Sequence, residues 1–249
     1  ENNIGISVDD CQSFLVRIVA MKRSEINSYI REAIDLFAVT GFKLPPFAFW
    51  TPEYWQDLGA EVDEIRHNGL GWDVTDYGLD KFLDTGLLLF TIRNGNFSKK
   101  DMYPKGYAEK IMLVKERQVT PWHYHWNKRE DIINRGGGQL VLELYLADEN
   151  NALSDKMFSV SIDGVQREVG PGDKVILTPG ESICLEPYVY HTFYGESGSG
   201  TVIVGEVSDV NDDNNDNNAN DDDDDEPKGA CASYFNPAPE ANKGMGFIC

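Results

Sequence analysis

Two histidines separated by one residue, His123 and His125, are the side chains in this sequence whose spacing points most directly to chemistry. On a β-strand, residues two positions apart face the same side, so both imidazoles would project together. Strand geometry places them about 6 to 7 Å apart at the backbone, and imidazoles at that separation can share a metal ion. The pair alone is weak evidence, so further ligands are needed.

Two later residues could complete such a site. Glu130 follows after a segment long enough to turn into the next strand and return a carboxylate to the same place, and glycines 136–138 allow a sharp turn afterwards. His191 follows an apolar segment and should arrive from a distant strand. Three neutral imidazoles and one carboxylate suit Mn, Fe, Co, Ni or Zn and leave coordination positions open for a substrate. The sequence therefore predicts one divalent metal ion on His123, His125, Glu130 and His191.

Short apolar runs that alternate with turn residues begin at about Gly71 and are typical of a β-sandwich or barrel. Asn94-Gly95 and Asp163-Gly164 are predicted to be hairpin-type turns. Cys184, in one of the apolar runs, is expected to be a small core residue. The predicted strands cover residues 87–92, 108–114, 118–126, 139–146, 157–162, 173–177, 182–185 and 201–207.

The preceding part of the chain, residues 21–70, is predicted to be helical. Ser24 is a candidate N-cap and Gly41 a candidate end for a first helix. A second helix should start after Thr51-Pro52 and continue to about Val62. The apolar residues that recur at helical spacing in the first helix are Ile26, Ile30, Ile34 and Phe37.

Composition restricts the partners. The net charge is −20, and residues 209–226 form an acidic Asn/Asp-rich run without a basic residue. Nucleic-acid binders need clustered Lys and Arg, and a membrane span needs an apolar run of about 20 residues, so we expect neither partner. The four cysteines lie far apart, which favours a reducing, cytoplasmic setting over a disulfide scaffold.

These observations predict one domain at residues 21–210, with a helical part at 21–70 and a barrel at 71–210. Residues 1–20 would be an N-terminal extension that could be disordered, and residues 211–249 an acidic tail.

The pattern His123-Tyr-His125-x4-Glu130-x6-Gly137, with Gly180-x6-Pro187-x3-His191, resembles the two-part motif of the cupin superfamily. Residues 122–138, together with the opening of the first helix, resemble the bacterial D-lyxose isomerase family, which is a cupin. This resemblance covers roughly residues 21–217.

The resemblance implies a mainly β fold, a double-stranded β-helix (jelly-roll) barrel with N-terminal helices. It also implies an Mn(II)-dependent aldose–ketose isomerase for D-lyxose and D-xylulose, and for D-mannose and D-fructose. Lys128 becomes an active-site lysine, and a homodimer is the expected assembly.

An aldose–ketose isomerase moves a proton between C1 and C2 of an open-chain sugar, so a base must reach both carbons. Glu206 lies in an apolar run and, if it faces the interior, would be a buried carboxylate with a raised pKa that suits a base. Lys128 would help open the sugar ring or stabilise the developing oxyanion. The candidates for contacting the sugar are the polar residues Lys110, Glu143 and Asp209 and the aromatic residues Trp122 and Phe193, with Tyr188 and Tyr190 as further aromatics.

Two other functions are compatible with the same ligands. A metal-dependent cupin dioxygenase or decarboxylase would use a less polar pocket, and oxygen consumption with Fe(II) would favour it. A non-catalytic sugar-binding or storage cupin would hold metal without sugar turnover.

Overall fold

The computed structural model describes residues 21–211 and the backbone of residues 218–219. The predicted extension at 1–20 and most of the predicted tail lie outside the described residues. Three α-helices and two short 3-10 helices precede the strands: α1 (Arg23–Val39), 3-10 (Pro46–Phe49), α2 (Pro52–Gln56), 3-10 (Ala60–Val62) and α3 (Asp63–His67). None of the helices in the described part is long and apolar enough to span a membrane.

The described strands are β1 (Gly71–Thr75), β2 (Leu87–Arg93), β3 (Tyr107–Val114), β4 (Thr120–Tyr124), β5 (Glu130–Gly137), β6 (Leu140–Ala147), β7 (Leu153–Ser154), β8 (Phe158–Ile162), β9 (Val165–Val169), β10 (Asp173–Leu177), β11 (Ser182–Leu185), β12 (Val189–Gly195), β13 (Val202–Asp209) and β14 (Asn218–Ala219). The predicted fold class, mainly β with N-terminal helices, is confirmed.

The strands form two antiparallel sheets. The larger sheet has the order β1-β2-β3-β13-β5-β11-β8-β9, and the smaller has the order β10-β6-β12-β4-β14, with β7 beside β6. Strands far apart in sequence are therefore neighbours, as in a jelly roll. One continuous apolar core takes residues from both sheets, among them Met112, Ile132, Leu142 and Val204, so the core lies between the sheets.

Strand alternation decides which side chains enter this core. In β11, Ile183 and Leu185 are buried in it, whereas Cys184 between them lies on the opposite face and is only half-buried. The expectation that Cys184 is a core residue is therefore wrong. Burial and a hydrogen bond to Asp131 raise the pKa of its thiol to about 12, so the thiol is protonated at neutral pH.

Helix α1 packs against the outer face of the larger sheet and forms a second core with it. Ile30 and Phe37 are fully buried there against residues of β1 and β2, including Trp72 and Phe90. Burial of each such side chain contributes about 1.5–3 kcal/mol. The helix begins after Lys22 rather than at Ser24, because the Glu25 carboxylate accepts a hydrogen bond from the Lys22 backbone N–H at 2.9 Å.

The second predicted helix is broken. It starts as predicted, with the Thr51 hydroxyl accepting from the Tyr54 N–H at 3.2 Å, but it ends at Gln56. The backbone N–H of Gly59 then donates to the Glu61 carboxylate at 2.9 Å, which forms a turn between α2 and the next 3-10 helix. The side chain–backbone bonds at this turn replace the helical ladder.

The two predicted hairpin turns behave differently. Asp163 and Gly164 connect β8 to β9 with φ values of 50° and 81°, the positive values that a tight two-residue turn of this type needs. Asn94-Gly95 is not a tight turn, because residues 94–106 form a loop between β2 and β3. The side chain of Asn94 instead contacts Asn211, which follows β13, as described below.

Candidate metal centre and active site

The four predicted metal ligands come from three neighbouring segments of the barrel. Strand β12 pairs with β4 so that His191 lies opposite His123, and His125 follows directly after β4. Glu130 is the first residue of β5. One potential ligand atom from each of the four residues lies within 4.8 Å of the other three, so the group could hold a metal ion.

Backbone carbonyls orient two of the imidazoles. Nδ1 of His123 lies 2.8 Å from the Pro121 carbonyl oxygen, and Nδ1 of His191 lies 3.0 Å from that of Val189. A carbonyl oxygen can only accept, so each Nδ1 carries the proton and each Nε2 retains a lone pair. This is the arrangement that presents Nε2 to a metal ion.

The chemistry of the buried atoms fits a cation. Nε2 of His191 lies 3.0 Å from Oε1 of Glu130, and both atoms carry lone pairs. Within the described part of the chain, this buried Nε2 has no hydrogen-bond partner of acceptable geometry. Nε2 of His125 lies 3.5 Å from the other carboxylate oxygen of Glu130. Buried lone pairs that converge without a proton between them are costly unless a positive ion lies among them.

The electrostatics keep two of the ligands, His123 and Glu130, in their metal-binding protonation states. Burial lowers the pKa of His123 well below its usual value, and the nearby His191 and His125 lower it further. Burial by itself raises the pKa of Glu130, but the Lys128 ammonium and the neighbouring His125 outweigh it and hold this pKa well below the usual range. A neutral imidazole and an ionised carboxylate are the forms that bind metal.

Beside these ligands lies a buried pair of lysines around Glu206. Glu206 on β13 is the register partner of Lys110 on β3, and Nζ of Lys110 lies 3.3 Å from its Oε1. Nζ of Lys128 lies 3.2 Å from the same oxygen and 2.9 Å from Oε2 of Glu130. Burial raises the pKa of Glu206, but Lys110 and Lys128 outweigh it, so the net pKa is lowered. The expectation of a raised pKa is therefore wrong, because it left out two adjacent positive charges.

These groups line one pocket with a volume of about 150 Å³. That is roughly ten times what one water molecule needs, so the pocket admits a molecule the size of a small sugar. Apolar side chains from both sheets, among them Met112 of the larger sheet and Phe193 of the smaller one, form much of its wall. The residues predicted for the site that line it are Lys110, Trp122, His123, His125, Lys128, Glu130, His191, Phe193 and Glu206.

Glu143 and Asp209 do not line this pocket. Glu143 lies between the core residues Leu142 and Leu144 of β6 and faces outward, where it accepts from the Tyr194 hydroxyl at 2.7 Å. Asp209 is exposed at the end of β13 and accepts from the Arg129 backbone N–H at 3.1 Å. Strand alternation places both carboxylates away from the pocket.

The aromatic candidates divide in the same way. Phe193 belongs to the core beneath the pocket. The ring of Trp122 packs edge-on against Tyr145, with 5.5 Å between ring centroids. Tyr188 and Tyr190 contact the ring of Tyr124 instead and do not line the pocket.

Among the residues near the site that were not anticipated from the sequence, three carry polar groups that face the pocket or its lysines. Asp73 and Tyr77, on and just after β1, line the pocket, and the side chain of Asn211 accepts hydrogen bonds from both buried lysines. A carboxylate inside the apolar segment 71–75 was a usable signal for Asp73. Asn211 gives none, because it lies within the acidic Asn/Asp run.

Known proteins that are similar to this chain are sugar isomerases. A family model described as D-lyxose isomerase matches residues 21–227. A D-lyxose/D-mannose isomerase of Serratia proteamaculans is 51% identical over 189 residues, which cover 76% of this chain and 82% of the relative. A D-lyxose/D-mannose isomerase of Escherichia coli O157:H7 is 50% identical over 189 residues, 76% of this chain and 83% of the relative.

Two solved structures show the same fold at low identity. The L-ribose isomerase of Cellulomonas parahominis with L-psicose has a TM-score of 0.50 at 15% identity, and covers 77% of this chain and 85% of its own. The L-ribose isomerase of Acinetobacter sp. DL28 in complex with L-ribose has a TM-score of 0.50 at 14% identity, and the match covers 77% of this chain and 82% of that protein. The match to the family model and the two close relatives confirm the resemblance, and the barrel is of the cupin type. The chain belongs to the D-lyxose isomerase family and is a sugar isomerase of the lyxose/mannose type.

Proposed function

We propose that this enzyme interconverts D-lyxose with D-xylulose, and D-mannose with D-fructose, with one divalent metal ion, Mn(II) by preference and Co, Ni, Fe or Zn as alternatives. The proposed ligands are His123, His125, Glu130 and His191. The observation that carries the proposal is that a carboxylate between two buried lysines lies beside this ligand group in one sugar-sized pocket. The names of the close relatives support the choice of sugars.

The ligand chemistry defines what a metal would add. A bound divalent cation would polarise the sugar carbonyl and the adjacent hydroxyl and so stabilise enediolate charge as it develops.

The chain's own residues would carry the proton. The lowered pKa of Glu206 keeps it a carboxylate at neutral pH, so it can accept the proton from C2 of the open-chain aldose and return it to C1. The electron pair of the broken C–H bond forms the C1=C2 bond, and the carbonyl electron pair moves onto O1. When C1 is protonated, the proton of the C2 hydroxyl passes to O1. The Lys128 ammonium, which lies between Glu206 and Glu130, would exchange one of its hydrogen bonds for one to these oxygens. Apolar walls exclude water and strengthen these charge interactions.

The pocket's polar groups favour this reaction over oxygen chemistry. A sugar with a hydroxyl on nearly every carbon needs several donors and acceptors, and Lys110, Lys128, Glu206 and Asp73 supply them from the pocket wall. We further propose that the enzyme acts as a homodimer in the cytoplasm, and light scattering of the purified protein tests the dimer.

A sugar and metal panel tests the proposed reaction. The protein would be stripped with EDTA, reloaded with Mn(II), Co(II), Ni(II), Fe(II) or Zn(II), and assayed for ketose formation from D-lyxose, D-mannose and other aldoses. We expect turnover of D-lyxose and D-mannose, highest with Mn(II) and lost with EDTA. Run in D₂O, proton transfer through a base introduces deuterium into the product, whereas a direct hydride shift does not. Loaded protein that forms no ketose, or that consumes oxygen with Fe(II), would overturn the proposal.

A further inference from the structure

The two buried lysines share two acceptors. Nζ of Lys110 and Nζ of Lys128 lie 3.3 and 3.2 Å from one oxygen of Glu206. They also donate to Oδ1 of Asn211, at 2.8 and 3.3 Å. Two like charges this close repel each other, so acceptors shared by both ammonium groups help to fix their separation. Asn211 therefore helps, together with Glu206, to position both lysines.

Asn211 lies beyond the end of β13, so no strand ladder fixes it. The side chain of Asn94 does so instead: its Oδ1 accepts from the Asn211 backbone N–H at 3.0 Å, and its Nδ2 donates to the Asn211 carbonyl at 3.1 Å. One amide thus satisfies both backbone groups of Asn211, as a paired strand would. We call this two-bond contact between Asn94 and Asn211 the asparagine clamp.

The clamp is itself anchored. Nδ2 of Asn68 donates to the Asn94 carbonyl at 3.1 Å, and Nδ2 of Asn94 donates to the Asn68 carbonyl at 3.2 Å. Both side chains are buried, so loss of either amide would leave unpaired polar groups. At Gly95 an added Cβ would lie 2.0 Å from the Lys105 carbonyl oxygen, so the loop that carries Asn94 is also held tightly.

We propose that Asn211 is a positioning residue for the isomerase reaction, held by Asn94 and acting through Lys110 and Lys128. The inference rests on the proposed function. It adds that the catalytic geometry depends on a contact between the loop after β2 and the residue at the end of the barrel, neither of which contains a metal ligand.

Kinetics of a double-variant cycle test the clamp. Asn211→Ala removes the shared acceptor, and Asn94→Ala removes the two bonds that orient it. We expect each to lower kcat, expressed per metal-loaded site, by roughly 10- to 100-fold, with KM changed by less than about threefold. Because Asn94 acts through Asn211, the double variant should be no slower than Asn211→Ala alone. Expressing kcat per metal-loaded site removes the contribution of any unfolded fraction.

Asn96→Ala is the matched control. Asn96 lies in the same loop and donates to the His67 carbonyl at 2.7 Å and to Oδ1 of Asn68 at 3.2 Å. That oxygen takes no part in the bonds between Asn68 and Asn94, and within the described residues Asn96 has no hydrogen bond to Asn211 or to the two lysines. For Asn96→Ala we expect a kcat within about twofold of that of the starting enzyme. When it is combined with Asn211→Ala, the fold-changes in kcat of the two single variants should multiply. A kcat of Asn211→Ala within twofold of the starting enzyme would overturn the inference, as would multiplicative effects of the Asn94 and Asn211 variants.

Crystal structures of Asn94→Ala and Asn96→Ala provide a readout that needs no activity. The inference is supported if Nζ of Lys110 shifts by more than about 1 Å in Asn94→Ala but not in Asn96→Ala. It is overturned if the lysines of Asn94→Ala stay in place. If the unaltered enzyme forms no ketose, the proposed function fails, while these structures still decide whether the clamp positions the lysines.

Discussion

Nζ of Lys128 lies 2.9 Å from Oε2 of Glu130, so a buried ammonium group directly faces a proposed metal ligand. The same Nζ lies 3.2 Å from Oε1 of Glu206, the proposed base. One positive charge therefore helps to keep both carboxylates ionised despite their burial. A single side chain thus connects the proposed metal ligand with the proposed base.

Replacement of this lysine should be severe. Lys128→Met keeps much of the side-chain volume but removes the charge and the hydrogen-bond donor, so we expect kcat for D-lyxose to fall by about 10²- to 10⁴-fold. Steady-state kinetics with metal content measured on the same samples would test this.

The matched control is Lys174→Met. Lys174 is an exposed lysine whose Nζ lies 2.9 Å from Glu143, and its loss should leave kcat within about twofold. Equal effects of the two substitutions would contradict the role of Lys128.

His191→Ala should lose the metal and keep the fold. It removes one of four converging ligand atoms, so affinity for Mn(II) should fall by at least about 100-fold. Metal content after dialysis and the far-UV spectrum measure the two effects separately. His67→Ala is the control, because His67 lies at the end of α3 and contacts Tyr103 rather than the site. Full metal stoichiometry in His191→Ala would refute the ligand assignment.

A pair of isosteric substitutions tests the base. Glu206→Gln keeps the shape of the side chain but cannot accept the proton, so kcat should fall about 10²- to 10⁴-fold while the metal is retained. Glu143→Gln makes the same chemical change on the outward face of β6 and should have less than about a twofold effect. A large loss for Glu143→Gln would restore that residue as a sugar contact, whereas a fully active Glu206→Gln would exclude Glu206 as the base.

Acid should destabilise the metal-free protein. The pKa of His123 is far below that of an unfolded histidine, about 6.5, so the unfolded chain binds more protons as the pH falls through that value. The free energy of unfolding of the metal-free protein should therefore keep its full value above about pH 6.5 and decline below it. Glu130 and Glu206, with pKa values lowered from 4.5, add a further loss below about pH 4.5.

Urea unfolding in EDTA at several pH values measures this dependence. In His123→Asn, the free energy of unfolding should decrease less between pH 6.5 and 5 than in the unaltered protein. An unfolding free energy that stays constant from pH 8 to 5 would contradict the prediction.

The second core should be sensitive to cavity formation. Ile30 on α1 is 0% exposed, so Ile30→Ala should lower the free energy of unfolding by about 2–5 kcal/mol. Val39 on the same helix is 85% exposed, and Val39→Ala should change it by less than about 0.5 kcal/mol. Urea titration of both variants decides the matter, and similar values for the two would mean that α1 does not pack as described.

The sequence was most informative where chemistry restricts the choice of residue. Few side chains can hold a metal, so residue type and spacing were enough to identify the four proposed ligands. The boundaries of the eight predicted strands also followed from alternation and turn residues, to within about two positions, whereas β5 and β12, which carry Glu130 and His191, were not predicted as strands. The same alternation contained further information, because Leu142 and Leu144 could have shown that Glu143 faces outward.

Properties that depend on contacts between distant strands were not predictable in this way. The pKa of Glu206 depends on Lys110 and Lys128, which reach it from other parts of the chain, and no local pattern reports that. Asn94-Gly95 has the composition of a tight hairpin turn, yet it begins a longer loop in which the Asn94 side chain bonds to the distant Asn211. Tertiary context overrode the local preference there.

The pairing of β4 with β12 places His123 opposite His191, although these strands are far apart in sequence. A cation bound by both would act as a crosslink that closes a long loop, in the manner of a disulfide. Heat resistance should then rise with the concentration of free metal, and chelators would weaken the whole barrel as well as stop catalysis. Metal supply would thus set how long the folded enzyme survives.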